Sequence, residues 1–447
     1  MELARATLRR TLSRRDLVAY GLLVIGPLAP VSVFGVLEAR TGGAVALVYL
    51  AGTIAIAFTA WSYAEMSAVV PHAGSVFAYV TEGVGPRAGF LAGWLAMLDY
   101  LLLPSVAYLF CGIALHALVP AVPAWAFTAV ALTMTTALNL AGVAVAARAG
   151  VVVVVAEVVV LAVFVVSAVI VLAVHGPLRP WASPFTGLSG IDATAIARAI
   201  SVAVLSFLGF DAIASFAEEA AGDARQVGSA IRFCLAAAGV LFLVQVYLAG
   251  VLNPLSPVDL AARPAAQGTA FYDLTSVAIG PWLAAMLAFV KAAGPVFAAM
   301  SAQAAAARLL FGMARDGRLA RALAHVDSRH GVPRTALLTA AAMTAIVAVW
   351  AAARRDDGLD VLVSIVNVGA LTAFTLLHAS VVGYFVVRRR APARTAHRLV
   401  PLFGAAVTIG VVAAASPLAR IVGAVWLAAG ILVLVSRGSA VDERAAT

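Results

Sequence analysis

This chain is short of charge. Only 11% of its 447 residues are Asp, Glu, Lys or Arg, far below the share in ordinary soluble domains, which excludes a solvated globule. Lysine is all but missing: 29 of the 30 basic residues are arginine and the other is Lys291. That bias reads as coding preference, yet it makes Lys291 conspicuous. There are 2 cysteines, Cys111 and Cys234, in different apolar segments and away from any histidine cluster, so neither a disulfide framework nor a metal site is expected. Enzyme signatures are missing as well. No glycine loop ends in Lys-Ser or Lys-Thr to cradle a nucleotide, no histidine pair has metal-binding spacing, and no Gly-x-Ser-x-Gly elbow occurs, while the 7 histidines are scattered. The sequence therefore disfavours catalysis and ATP-driven pumping, and it calls for no cofactor.

What fills the chain is apolar. Hydrophobic residues make up 63%, mean hydropathy is +1.03, and runs of about twenty apolar residues, enough to cross a hydrocarbon core, recur throughout. No stretch is left for a soluble domain. Apolar runs and turn signals place spans near 16 to 36, 43 to 66, 86 to 117, 124 to 144, 148 to 174, 194 to 219, 230 to 252, 276 to 312, 334 to 353, 359 to 387, 399 to 415 and 418 to 436. The expected fold is thus an all-α polytopic membrane protein of about twelve transmembrane helices, one membrane domain over residues 1–447. These segments are numbered spans 1 to 12 below.

The net charge of +9 follows topology. With the N-terminus in the cytoplasm, all but seven arginines fall on the inner side, so both termini are expected to be cytoplasmic in a multi-pass protein of the inner (plasma) membrane, and nucleic acid is not an expected partner. Ser13-Arg14-Arg15-Asp16-Leu17 mimics a twin-arginine export signal. No small-residue cleavage site follows it, whereas many further spans do.

Two spans carry interruptions about half a chain apart. In span 1, Gly26 permits unusual backbone angles, and Pro27 and Pro30 flank Leu28-Ala29 and remove donors from the helical ladder. In span 6, Ser206-Phe207-Leu208-Gly209-Phe210-Asp211 sets a glycine between two aromatics and an acid at the start of the second half-helix. Either alone is a kink. Together they predict bare backbone at mid-bilayer depth, which is tolerated only inside protein or beside a watery cavity and marks the binding site of many secondary transporters. If spans 1 to 5 (residues 16–174) and spans 6 to 10 (194–387) form two inverted halves, with spans 11 and 12 (399–436) as accessories, the breaks face each other.

Ionisable residues at membrane depth are functional candidates by default, and few are present. They are Asp99, Glu157, Asp211 and Lys291, with Glu65, Glu218, Glu219 and Arg308 near helix ends. Asp211 either caps its half-helix or meets a substrate ammonium group. Phe207 and Phe210 either close over the substrate or pack, and Asp99 and Tyr100 either touch it or join a structural network. Glu157, alone in the apolar stretch 151–166, is either a proton-coupling carboxyl or one half of a static pair with Lys291. Glu218 and Glu219 are expected to form a cytoplasmic gate with arginines such as Arg308.

These residues resemble the amino acid-polyamine-organocation permeases over nearly the whole chain. Ser206 to Asp211 followed by Glu218-Glu219 looks like that family's sixth-span signature, and Arg308-Leu309-Leu310-Phe311-Gly312-Met313-Ala314-Arg315-Asp316-Gly317 looks like its hallmark after span 8. Pro71-His72-Ala73-Gly74-Ser75 with Tyr79, then Gly89 to Trp94, resembles its segment between spans 2 and 3. Leu98 to Pro104 and Gly26 to Pro30 with Phe34 look closest to the putrescine-importer-like branch. The resemblance implies the leucine-transporter fold, with five-plus-five inverted repeats and broken helices 1 and 6, and proton-coupled uptake. Position 157 matches the site where some relatives carry a lysine that replaces a sodium ion; here it is Glu, so that device does not transfer. Two further departures are the proline-free stretch after Glu219 and a first-span loop without the Gly-x-Gly that holds a substrate carboxylate.

The resulting expectation is a proton-coupled importer of a small amine, a polyamine such as putrescine or an amino acid. Gly26, Pro27, Ala29, Pro30, Asp99, Tyr100, Phe207, Gly209, Phe210 and Asp211 would bind substrate, Glu157 and Lys291 would couple the proton, and Glu218, Glu219 and Arg308 would gate. Sodium is the other candidate ion, and the lipid bilayer the other partner. Rival readings are an exchanger and, from another class, a channel or a transport-silent sensor.

Overall fold

A helix hides its own backbone polar groups, so long apolar runs in a hydrocarbon core take that form. The computed structural model of the chain describes residues 10–445 apart from 71–74, 119–120, 142, 189, 222, 224, 316, 318, 328–330, 354–357 and 416, and among these it is helical almost throughout. One isolated bridge joins Leu12 to Ala220.

Span 1 is two helices, Arg14–Ile25 and Ala29–Thr41. Unbroken helices follow at Val45–Val69, Pro86–Leu118, Ala124–Leu140 and Val143–His175 for spans 2 to 5. Span 6 is again divided, into Ala193–Leu205 and a short Ala212–Ser215. Then come Arg225–Val251, Pro281–Arg315, Arg334–Ala353, Gly358–Val381, Ala396–Ala414 and Pro417–Ala445 for spans 7 to 12. Among the described residues, 9 helices are long and apolar enough to cross a membrane; spans 4, 6 and 9 are shorter apolar helices. The count of twelve crossings rests on those three.

Lipid and protein faces separate by helical period. Along span 5, Val152, Val155, Val159, Val166, Ile170 and Val174 are exposed, whereas Val154, Glu157, Leu161, Phe164 and Ala168 form a buried stripe. The outward valines have no aqueous partner to lose and suit acyl chains. Glu157 lies on the inward stripe.

Span 3 sits at the centre, packed against spans 8 and 10, while span 7 packs on span 2 and span 5 on spans 1 and 8. Of its most apolar window 78% is buried, against 22% for span 11 and 17% for span 12, so the last two helices are peripheral. A double indole clasp attaches span 12. Trp94 Nε1 donates to the Trp426 carbonyl at 2.8 Å and Trp426 Nε1 to the Trp94 carbonyl at 2.7 Å, with the rings stacked at 4.7 Å. Hydrogen bonds between membrane helices are worth about 0.6 kcal/mol on average, so Trp426→Phe is expected to lower the thermal midpoint in detergent only slightly. Trp426→Ala also removes the stacked ring and is expected to cost about 1 kcal/mol more, a clearly lower midpoint. Equal midpoints for the two variants would assign the clasp no aromatic contribution.

Two boundaries depart from expectation for a physical reason. Span 1 runs to Thr41, five residues past its expected end at 36, because the break spends chain length without the full helical rise. Span 6 leaves the helix at Leu205 and re-forms only one turn before a 3-10 turn at Ala217–Glu219.

Candidate functional site

The first break is a two-step corner. Gly26 donates its N–H to the Leu22 carbonyl at 2.8 Å and adopts φ +73°, a conformation that only glycine takes without strain. Ala29 N–H then bonds back to the Gly26 carbonyl at 2.8 Å, with Pro30 seated in the first turn of the next half-helix, where its missing N–H costs nothing. The Pro27 carbonyl accepts from Gln245 Nε2 of span 7 at 3.0 Å.

In the second break, Phe207 and Leu208 make tight i to i−3 bonds before Gly209 turns out at φ +108°. The two corners abut. A Cβ placed on Gly209 would overlap the Val24 side chain and lie 3.2 Å from the Val24 carbonyl carbon.

Asp211 occupies this junction and is 1% exposed. Its carboxylate makes no capping bond to the helix that follows. Instead Oδ1 accepts the Gly209 N–H at 3.2 Å and Oδ2 accepts the Tyr100 hydroxyl at 2.7 Å. Tyr100 Oη also lies 3.3 Å from Ser75 Oγ, a residue held at φ +48°; Pro71 to Gly74 of the same motif lie outside the described residues. Asp99, the neighbour of Tyr100 on span 3, is 1% exposed and near enough to Asp211 for the two charges to act on each other. Among the described residues no cation pairs with either carboxylate.

The two aromatics of the motif part company. Phe210 packs edge-on to Tyr63 and tilted on Phe374, each 5.8 Å between centroids, and Tyr79 stands behind Tyr63 at 6.0 Å. Phe207 turns to Tyr49 and Phe242, at 6.1 and 5.0 Å. Only Phe210 stays with the acidic residues.

Glu157 reaches the first break from span 5. Its Oε2 is 3.8 Å from where a Cβ would stand on Gly26, and its Oε1 fills the space that a Cβ on Gly294 of span 8 would need. The Leu28 N–H and the Lys291 ammonium are its polar neighbours. No ion pair closes between Glu157 and Lys291 within 4 Å, unlike the five acid–base pairs that do close among the described residues.

Ion pairs stand at both ends of the bundle. Toward the N-terminal end, Glu219 binds Arg308 through two oxygens, one to Nε and one to Nη2 at 3.1 Å, and the guanidinium lies 4.3 Å above the Phe216 ring. Glu218 meets Arg315 with both oxygens at 2.8 Å. The Thr11 and Leu12 amides both donate to the Glu219 carbonyl at 3.0 Å, strapping the entering chain over this cluster. At the opposite end, Arg179 Nη1 donates to Glu38 Oε2 at 2.8 Å and its Nη2 to the Leu255 carbonyl, with Glu38 fully buried.

Sequence reasoning passed over Glu38 because span 1 was expected to stop at residue 36, which left the acid in a loop. Its apolar neighbours Val36 and Leu37 were the available signal. Tyr63, Phe374 and Gln245 were also missed, being ordinary residues of helices remote in sequence.

The profile of a family described as amino acid permease matches residues 17–441. The low-affinity putrescine importer PlaP of Escherichia coli (strain K12) is 29% identical over 443 residues, 96% of this chain and 94% of the relative. The methylthioribose transporter of Bacillus subtilis (strain 168) is 28% identical over 463 residues, 96% and 93% of the two chains. The branched-chain amino acid permease BcaP of the same organism is 25% identical over 420 residues, 86% and 82%.

Proposed function

Because this chain belongs to the amino acid permease family, we propose that it is a secondary transporter of the plasma membrane that imports a small amine, a polyamine such as putrescine or an amino acid, by proton-coupled alternating access. The observation that carries this reading is the buried Asp211 carboxylate at the meeting point of two broken helices, with no described cation beside it. An anion taken out of water demands a counter-charge, and a substrate ammonium is the one a transporter brings.

In this reading the backbone of Gly26, Pro27, Ala29, Pro30 and Gly209 and the ring of Phe210 surround the substrate, and Tyr100 holds Asp211 in place. The Glu219–Arg308 pair, reinforced by Glu218–Arg315, closes the cytoplasmic side and Glu38–Arg179 the outer side, so the conformation described is occluded. Each cycle opens one pair at a time. Glu157, between the first break and span 8, takes and returns the proton, with Lys291 as its changing partner. Two inverted five-span halves, both termini in the cytoplasm, complete the topology.

Uptake of labelled putrescine and of labelled amino acids into proteoliposomes tests this, with an inward proton gradient, with none, and with unlabelled substrate preloaded. Saturable, gradient-dependent uptake is the expected result. Uptake only into preloaded vesicles assigns exchange, and no amine moving under any condition overturns the reading.

A further inference from the structure

Asp99 carries a carboxylate oxygen with no partner among the described residues. The side chain is 1% exposed and the oxygen is Oδ1. Among the described residues, the titratable groups around it are acids and phenols: Asp211 from span 6, Tyr63 from span 2 and, on its own helix, Tyr100, with Tyr79 behind Tyr63. Asp211 already accepts two donors, from Gly209 and Tyr100. Asp99 Oδ1 has no such support among the described residues. Two carboxylates, each 1% exposed, repel each other and lack solvation, so an arrangement with two of them suits an arriving charge larger than that of a single ammonium. The rings of Tyr63 and Phe210 beside them supply apolar walls for a methylene chain and faces that attract cations.

We propose that Asp99 is the specificity-determining residue of this site, receiving the second ammonium group of a diamine whose first ammonium is held by Asp211. The inference rests on the amine-binding reading above and adds to it a substrate class, short linear diamines, and a residue that selects them. A monoamine satisfies Asp211 and leaves Asp99 unpaired; a diamine satisfies both.

The test is equilibrium binding to the purified full-length protein in lipid nanodiscs, with 1,3-diaminopropane, putrescine, cadaverine and butylamine, the last matching putrescine in chain length with one ammonium. A site built to pair a polar group discriminates strongly against a ligand lacking it, so putrescine is expected to bind the wild type at least ~30-fold more tightly than butylamine. Asp99→Asn is expected to weaken putrescine far more than butylamine and bring the ratio within ~3-fold, because the lost interaction is the one only the diamine makes. Asp99→Glu, which carries its carboxylate one methylene further into the site, is expected to move the preferred diamine one carbon shorter. A wild-type ratio near one, or a ratio unmoved in Asp99→Asn, overturns the role of Asp99 while leaving amine binding at Asp211 standing. Absence of binding by all four compounds overturns the amine reading with it. The wild-type series decides the selectivity even where a variant fails to fold.

Discussion

Asp211→Asn is expected to weaken binding of every amine substrate by ~30-fold or more, diamine and monoamine alike. Truncating one partner of a buried, hydrogen-bonded charge pair costs roughly 2–5 kcal/mol, which at about 1.4 kcal/mol per tenfold is ~30-fold at the least and thousands-fold at the most. Asparagine keeps an acceptor for the Gly209 N–H or the Tyr100 hydroxyl but cannot keep both. It also brings an amide N–H₂ to where the ammonium belongs. Tyr100→Phe leaves the charge and removes one donor to it, so a smaller loss is expected, ~10-fold, in line with the strength of a hydrogen bond to a charged group. Labelled-amine binding to purified variants reads both effects. Asp211→Asn within ~3-fold of wild type would make the carboxylate a structural feature of the break, because so small a change is less than the loss of any buried ionic contact.

The breaks were legible because glycine and proline act locally. Gly26 and Pro30 interrupt the ladder by themselves, whatever the rest of the chain does, and the structure breaks span 1 there, between Ile25 and Ala29. In span 6 the helix leaves its course earlier than Gly209 alone requires, from Ser206. Membrane length and lipid-facing stripes were legible too, since both follow from hydrocarbon thickness and helical period.

What surrounds the breaks was harder to see. An irregular backbone has no period from which to calculate a facing direction, so nothing in Ser206 to Asp211 says that Phe210 joins Tyr63 and Phe374 while Phe207 goes to Tyr49 and Phe242. The Glu38–Arg179 pair joins residues 141 apart. Its acid fell outside the expected span because a broken helix needs more residues than an unbroken one to cover the same depth. Asp99 and Asp211 were legible as buried acids, but their common lack of a cation among the described residues is a property of the packed bundle.

Glu157→Gln is expected to abolish gradient-driven accumulation while leaving substrate exchange working. A one-unit pH gradient supplies about 1.4 kcal/mol per proton, enough to hold roughly a tenfold concentration ratio if one proton accompanies each substrate. Glutamine has nearly the same shape and fits the gap against Gly294, so the helices can still pack and alternate. It cannot take up or release a proton, and Lys291 then loses its ionic neighbour across the span 5 and span 8 contact. The accumulated ratio in proteoliposomes should therefore fall from about ten to about one under a one-unit gradient, with counterflow kept within a few-fold, since counterflow needs alternation and not coupling. Imposing a sodium gradient in place of the proton gradient separates the candidate ions, because only the ion bound and released in each cycle can drive uphill uptake. Accumulation by Glu157→Gln that still follows the pH gradient removes this carboxyl from coupling. Beside Asp211, Asp99 keeps a buried oxygen unpaired among the described residues, and the proton would have to travel with the substrate site itself.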